Sequence, residues 1–174
     1  MRRGHDGHHA NATTGDCAGT GRGDGRRVSA GGNVDLAIAA EQARFAVSGI
    51  NVGLFCSTPA VALSRAMMRK EAMEMLLTGE FIDAAEAARR GLINHVVPTE
   101  SLDSEVRRLV DSICGKSPVA IAMGKQLFYQ QLDTGLEAAY RLAAETMACN
   151  MMTEDAAEGI DAFMQKRIPT WKGA

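Results

Sequence analysis

The sequence lacks an apolar run long enough to cross a bilayer: its longest, such as Leu36–Ala40 and Val52–Cys56, are about five residues, against the roughly 20 a spanning helix needs. It also lacks a basic excess, with 19 Lys and Arg against 21 Asp and Glu, which excludes a strongly cationic nucleic-acid binder. Cysteine is sparse. Positions 17, 56, 114 and 149 are separated by 39, 58 and 35 residues, neither the close pairs of a zinc site nor the density of a small disulfide-stapled secreted domain. A reducing, intracellular compartment is therefore expected. No phosphate-cradling Gly-rich loop and no Ser-His-Asp order is present.

What the chain does contain is uneven. Residues 1–32 hold nine of the 18 glycines and three of the four histidines, and no Leu, Ile, Phe, Trp or Tyr. Such a segment buries too little apolar surface to offset chain entropy and is expected to be disordered. Its charge is five Arg against three Asp, while residues 33–174 carry 14 basic and 18 acidic side chains. Asp6, Asp16 and Asp24, a single serine at Ser29 and the helix-blocking glycines argue against a mitochondrial presequence. His5, His8 and His9, spaced by glycine in such a tail, read as incidental rather than as a metal site.

The remainder predicts a little sheet followed by much helix. Val34–Ala39 and Arg44–Val47 are short strand-like runs. Thr58 followed by Pro59 predicts a helix start, the helix running to about Lys70, with a second over 70–77 stopped at Gly79. Asp83 and Glu86 have capping-box spacing before a helix ended by Gly91. Leu92–Val97 is apolar and β-branched, a strand closed by Pro98. Helices follow at about 100–114, 118–131, 135–151 and 154–167, with apolar stripes such as Leu136, Ala139, Leu142, Ala143 and Met147 that must pack against something. Cys56, at a helix N-terminus, has the setting of an activated thiol, but the sequence offers it no partner base. His95 sits in a short apolar strand, where a core or surface role is expected.

Several stretches in combination carry a resemblance. These are Asp35–Ala40 followed by Phe45, Gly49–Leu54, Ala72–Glu80, Ile82–Ala87, Gly91–Pro98, and the close Glu158–Phe163 with Lys166-Arg167 and Pro169-Thr170-Trp171. From Asp35 to Trp171 the chain resembles the second half of the enoyl-CoA hydratase/isomerase (crotonase) family. The resemblance implies a partial crotonase-like α/β fold, helix-rich. It divides the chain into a tail (1–32) unlike the family, a remnant of the β/α core (33–98) and a C-terminal helical region (99–174). It further implies an acyl-CoA thioester ligand, a homo-oligomer (trimer or hexamer) built through the C-terminal helices, and mitochondrial fatty-acid metabolism. No bound cofactor, metal, nucleic acid or membrane span is expected.

The resemblance also says where chemistry should sit. In the family, two backbone N–H groups stabilise a thioester enolate and glutamates act on water as general base and acid. One N–H belongs to a segment upstream of anything recognisable here, and the second falls on Arg26. One glutamate position falls on Ser29 and the other on Gly49, and Ala46–Lys70 contains no Asp or Glu. Glu41 and Glu71 are the nearest substitutes, both read as surface residues. Two CoA contacts carry over: Lys166, where the family lends a lysine to the CoA phosphates of a neighbouring subunit, and Met147, where it stacks an aromatic near adenine. Lys166 reads equally as a helix-end cation. Gly53–Thr58 would aim a helix N-terminus at the thioester, but an ordinary helix start is the reading preferred without the rest of the pocket. The expectation is a truncated family member without hydratase activity, or alternatively a non-catalytic helical module that joins full-length relatives. The codons of Arg26–Val34 can be chosen so that the next frame reads Gly-Gly-Cys-Gln-Leu-Val-Ala-Thr, close to what the family places before the Asp, so the tail is expected to be an out-of-frame product; transcript sequencing across the junction tests this.

Overall fold

A computed structural model describes residues 34–174. The tail 1–32, with Ser29, Arg26, Cys17 and the three histidines, lies outside the described residues. The chain divides into two compact units, one ending at Arg108 and the other running from Leu109 to Ala174.

In the first unit, strand β1 (Ile38–Ala40) pairs in parallel with β4 (His95–Val97), Ile38 opposite His95 and Ala40 opposite Val97. Strand β2 (Arg44–Phe45) pairs antiparallel with β3 (Ile82–Asp83). Between β1 and β4 also come a 3-10 turn (Ser48–Val52) and helices α1 (Ser57–Ala66), α2 (Arg69–Thr78) and α3 (Ala84–Arg89). The core is apolar: Phe45, Leu63, Ala72, Met75, Leu76, Ala84 and Ala87 are almost fully buried. Full burial of a Phe or Leu side chain contributes about 1.5–3 kcal/mol.

Several elements differ from the sequence expectation. The strand expected over Val34–Ala39 is Ile38–Ala40, and that over Leu92–Val97 is His95–Val97, because only these residues find partners in register. The helix expected to reach Lys70 ends at Ala66. Met67 is extended (φ −139°, ψ 172°) and buried, and the bend lets α2 start afresh with Ala72, Met75 and Leu76 turned into the core. Pro59 is the third helical residue rather than the first, and Cys56, not Thr58, stands at the cap. Gly79 does stop α2, in the left-handed conformation (φ 63°), donating its N–H to the Met75 carbonyl at 3.1 Å. Asp83 caps α3, its Oδ1 accepting the Glu86 N–H at 2.7 Å. The return half of the expected capping box does not form: Glu86 turns to Arg89 and Arg90, each at 2.6 Å.

Helix α4 (Leu102–Cys114) spans the division between the units. The second unit packs α5 (Pro118–Leu132), α6 (Leu136–Met151) and α7 (Glu154–Gln165) on one another. Ser117 caps α5, accepting the Ala120 N–H at 3.1 Å, with Pro118 at the first helical position. Thr153 caps α7 in the same way. Neither α5 nor α6 has a fully buried residue, so the facing stripe that joins them, which includes Met123, Leu127, Ala139 and Leu142, is only half covered.

The C-terminal residues fold back over α7. Asp155 is buried and accepts hydrogen bonds from the Ser117 hydroxyl (2.6 Å) and from the N–H groups of Lys172 (2.7 Å) and Gly173 (3.1 Å). These donors, the Ser117 hydroxyl foremost, hold its carboxyl below the usual carboxylate range. The Trp171 indole donates to the Gly115 carbonyl at 2.8 Å and its ring lies against Gly159. Glu158 grips Arg167 with both oxygens (2.6 and 2.8 Å) and accepts from the Thr170 N–H (2.7 Å).

Candidate functional site

The residues to which the resemblance assigns chemistry fall in both units. Gly49 lies in the 3-10 turn that follows β2. Two hydrogen bonds close this turn: Gly53 N–H to the Ile50 carbonyl (3.1 Å) and Leu54 N–H to the Gly49 carbonyl (3.0 Å). Gly53 is left-handed at φ 80°, a conformation glycine adopts without penalty. The turn rests on the end of α2. The Asn51 amide donates to the Gly79 carbonyl at 3.4 Å, and a Cβ at Gly79 would come within 2.8 Å of the Ile50 side chain.

Space at Gly49 is closed. A Cβ built there would stand 2.6 Å from the Cys56 Sγ and 2.7 Å from the Leu54 carbonyl oxygen, well inside van der Waals contact. The half-buried Cys56 thiol thus occupies the direction in which a glutamate would leave the backbone. Sequence reasoning missed this pairing; the seven-residue spacing of Gly49 and Cys56 becomes a contact only through the turn. The substitutes lie elsewhere. Glu41 is exposed on the turn after β1, and Glu71 is engaged by Arg89 at 3.3 Å. Cys56 stands at the start of α1 without capping it through its side chain. His95 is exposed on β4.

In the second unit, Met147 is exposed on α6. Leu136, Tyr140, Met147 and Met151 fall within an arc of about 60° at 100° per residue, and all four are exposed. Met147 is therefore one member of a bare apolar stripe. Lys166 ends α7 in the left-handed conformation (φ 54°, ψ 40°), its N–H donating to the Phe163 carbonyl at 3.2 Å. It is exposed, as either reading of it requires.

An open cleft of about 330 Å³ in the second unit is lined by Ser117, Asn150, Asp155, Ile160, Phe163 and Trp171 among others. Its polar floor is the Ser117–Asp155 pair, whose hydrogen bonds go to the protein itself. Asp155 is therefore occupied in holding the C-terminal residues rather than presented to a ligand. Among the described residues no helix is long and apolar enough to cross a membrane.

Comparison with known proteins places these features in a family context. A family model described as enoyl-CoA hydratase/isomerase matches residues 17–174. The Rattus norvegicus enoyl-CoA hydratase domain-containing protein 3, mitochondrial, is 53% identical over 137 residues, which cover 79% of this chain and 46% of that protein. The Homo sapiens protein of the same name is 48% identical, covering 79% of this chain and 45% of its own length. Among solved structures, an enoyl-CoA hydratase from Mycobacterium smegmatis is 56% identical with a TM-score of 0.78, over 80% of this chain and 55% of that one. The crystal structure of human enoyl-CoA hydratase domain-containing protein 3 is 47% identical with a TM-score of 0.76, over the same shares of the two chains. The chain spans about half the length of the curated relatives it matches.

Proposed function

Because this chain belongs to the enoyl-CoA hydratase/isomerase family, we propose that it is an acyl-CoA-related protein of fatty-acid metabolism that does not hydrate enoyl thioesters by itself. The observation that carries this reading is Gly49. Hydration needs a carboxylate to position and deprotonate water. At the place where the resemblance puts one, this chain has no side chain, and the Cys56 sulphur and the Leu54 carbonyl fill the space. The mitochondrial names of the relatives support a mitochondrial setting. Lys166 is the residue of this chain proposed to meet a CoA phosphate, its exposed ammonium free to approach an anion.

Two measurements on the purified chain test the reading. Crotonyl-CoA should not be hydrated above the buffer rate. A CoA ester should bind in a calorimeter with an affinity that Lys166→Ala lowers by about 3–10-fold, the effect of removing one exposed charge contact. Turnover that a single substitution in this polypeptide abolishes would overturn the proposal.

A second reading has its own support in the exposed stripe Leu136, Tyr140, Met147 and Met151 on α6. Four large apolar residues in line on one helix mark a surface that another helix covers. Under this reading the second unit joins homo-oligomers (trimers or hexamers), or trimers of full-length relatives, and Met147 packs rather than stacking on adenine. Tyr140→Asp with Met147→Asp should then abolish co-purification with a co-expressed full-length relative while leaving the helical signal intact; co-purification that survives the pair removes this reading.

A further inference from the structure

Among the described residues of the second unit three are buried, Ser117, Asp155 and Ala162, and two of the three are polar. The fixed point of this helical unit is therefore a carboxylate rather than an apolar core. Asp155 lies in the first turn of α7 and is 1% exposed. Three pieces of chain meet at it: its own helix, the Ser117 hydroxyl that also caps α5, and the N–H groups of Lys172 and Gly173.

The chain returns to Asp155 in two stages. Glu158, three residues further along the same face of α7, grips Arg167 with both oxygens and accepts the Thr170 N–H at 2.7 Å. That fixes the base of the returning segment. Its tip, residues 171–174, is held differently. The Trp171 indole reaches the Gly115 carbonyl at 2.8 Å, the Lys172 and Gly173 N–H groups reach Asp155, and Gly173 takes a positive φ of 76° beside Pro118. Lys172 adds an ion pair with Glu154 at 2.9 Å, but both side chains are more than 60% exposed, and such a pair contributes little in water. Trp171 is the large apolar side chain of the tip, and it lines the cleft together with Ala120, Asn150, Ile160 and Phe163.

We propose that residues 171–174 are a latch on this cleft: closed on Asp155, the tip seats Trp171 in the cleft wall, and released from Asp155 it swings out on the base held by Glu158 while α5, α6 and α7 stay folded. Hydrogen bonding makes the change all-or-none. A buried carboxylate that keeps one amide and loses the other is left with an unmatched acceptor, so both amides hold or both give way. Beyond the indole, opening takes little apolar surface out of contact. That places the tip at the low-stability end of the fold, where local opening precedes global unfolding. Nothing in this depends on acyl-CoA binding.

Trp171 is the only tryptophan of the chain, so its emission reads the tip directly. In the full chain Asp155→Asn replaces one acceptor oxygen by a donor. Trp171 emission should then shift to the red and become open to acrylamide quenching, and amide exchange at Lys172 and Gly173 should quicken about 10-fold or more, with the helical signal kept. Gly173→Ala should have the same effect without touching the carboxylate, because its φ disfavours a side chain and the new Cβ would meet the Pro118 ring at 3.3 Å; it decides the matter if Asp155→Asn loses its helices. Lys172→Ala keeps the N–H and should change the exchange by less than about 3-fold. In urea the Trp171 signal of the parent should move before the helical signal. The proposal fails if those two signals move together, if neither Asp155→Asn nor Gly173→Ala quickens exchange at Lys172 and Gly173, or if Lys172→Ala frees the tip as fully as Asp155→Asn does.

Discussion

Gly49→Glu, which would put a carboxylate where the resemblance expects one, should lower the stability of the first unit by about 1–3 kcal/mol or more and should gain no hydration of crotonyl-CoA. The new Cβ alone would approach the Cys56 Sγ to 2.6 Å and the Leu54 oxygen to 2.7 Å. The sulphur ends a short side chain and can rotate. The carbonyl belongs to the residue whose N–H closes the turn on Gly49 at 3.0 Å, so moving it opens that hydrogen bond. Adding Cys56→Ala should therefore recover only part of the loss. Urea unfolding of the three proteins measures this, and a Gly49→Glu variant as stable as the parent would show that the turn yields more easily than its geometry implies.

Acid should destabilise the protein in part through two ion-paired carboxylates, beside Asp155 and Glu105, which are also held below their ordinary range. Arg89, and then Arg90, hold Glu86 down to about 2 from an ordinary 4.5, and Arg167, helped by the Thr170 N–H, does the same for Glu158. The sign follows from proton uptake. Between about 2 and 4.5 the unfolded chain binds protons that the folded chain refuses, so stability rises with pH across that window. The contribution is fully present above about 4.5 and is lost as pH falls towards 2. Both groups are partly exposed, so salt screens the ion pairs. Unfolding midpoints measured down the pH scale should fall in this window, and Arg167→Gln should remove Glu158's share of the fall. An unchanged profile in that variant would remove Glu158 from the account.

Much of this fold was legible because its signals are local. Gly79 and Asp83 each act within one turn of a helix end, and the four C-terminal helices lie within a few residues of the expected bounds. What sequence reasoning missed depends on partners far along the chain. Ile82-Asp83 is a strand only because Arg44-Phe45 lies beside it. Met67 breaks a helical pattern because its side chain is wanted in the core. Glu86 had the spacing of a reciprocal cap, but two arginines in the next turn offered stronger, charge-assisted partners. At the candidate site, the empty position at Gly49 was readable from the resemblance. Its closure by Cys56 was not, since nothing in either residue announces the contact.

The pairing of β1 with β4 also has a bearing on time. Ile38 meets His95 across a sequence separation of 57, whereas α5 and α6 meet across the short connection from Asp133 to Gly135. Closing the long loop costs more entropy before any contact repays it. On loop closure alone, the helical hairpin has the shorter route to its contacts and the parallel pair the longer one.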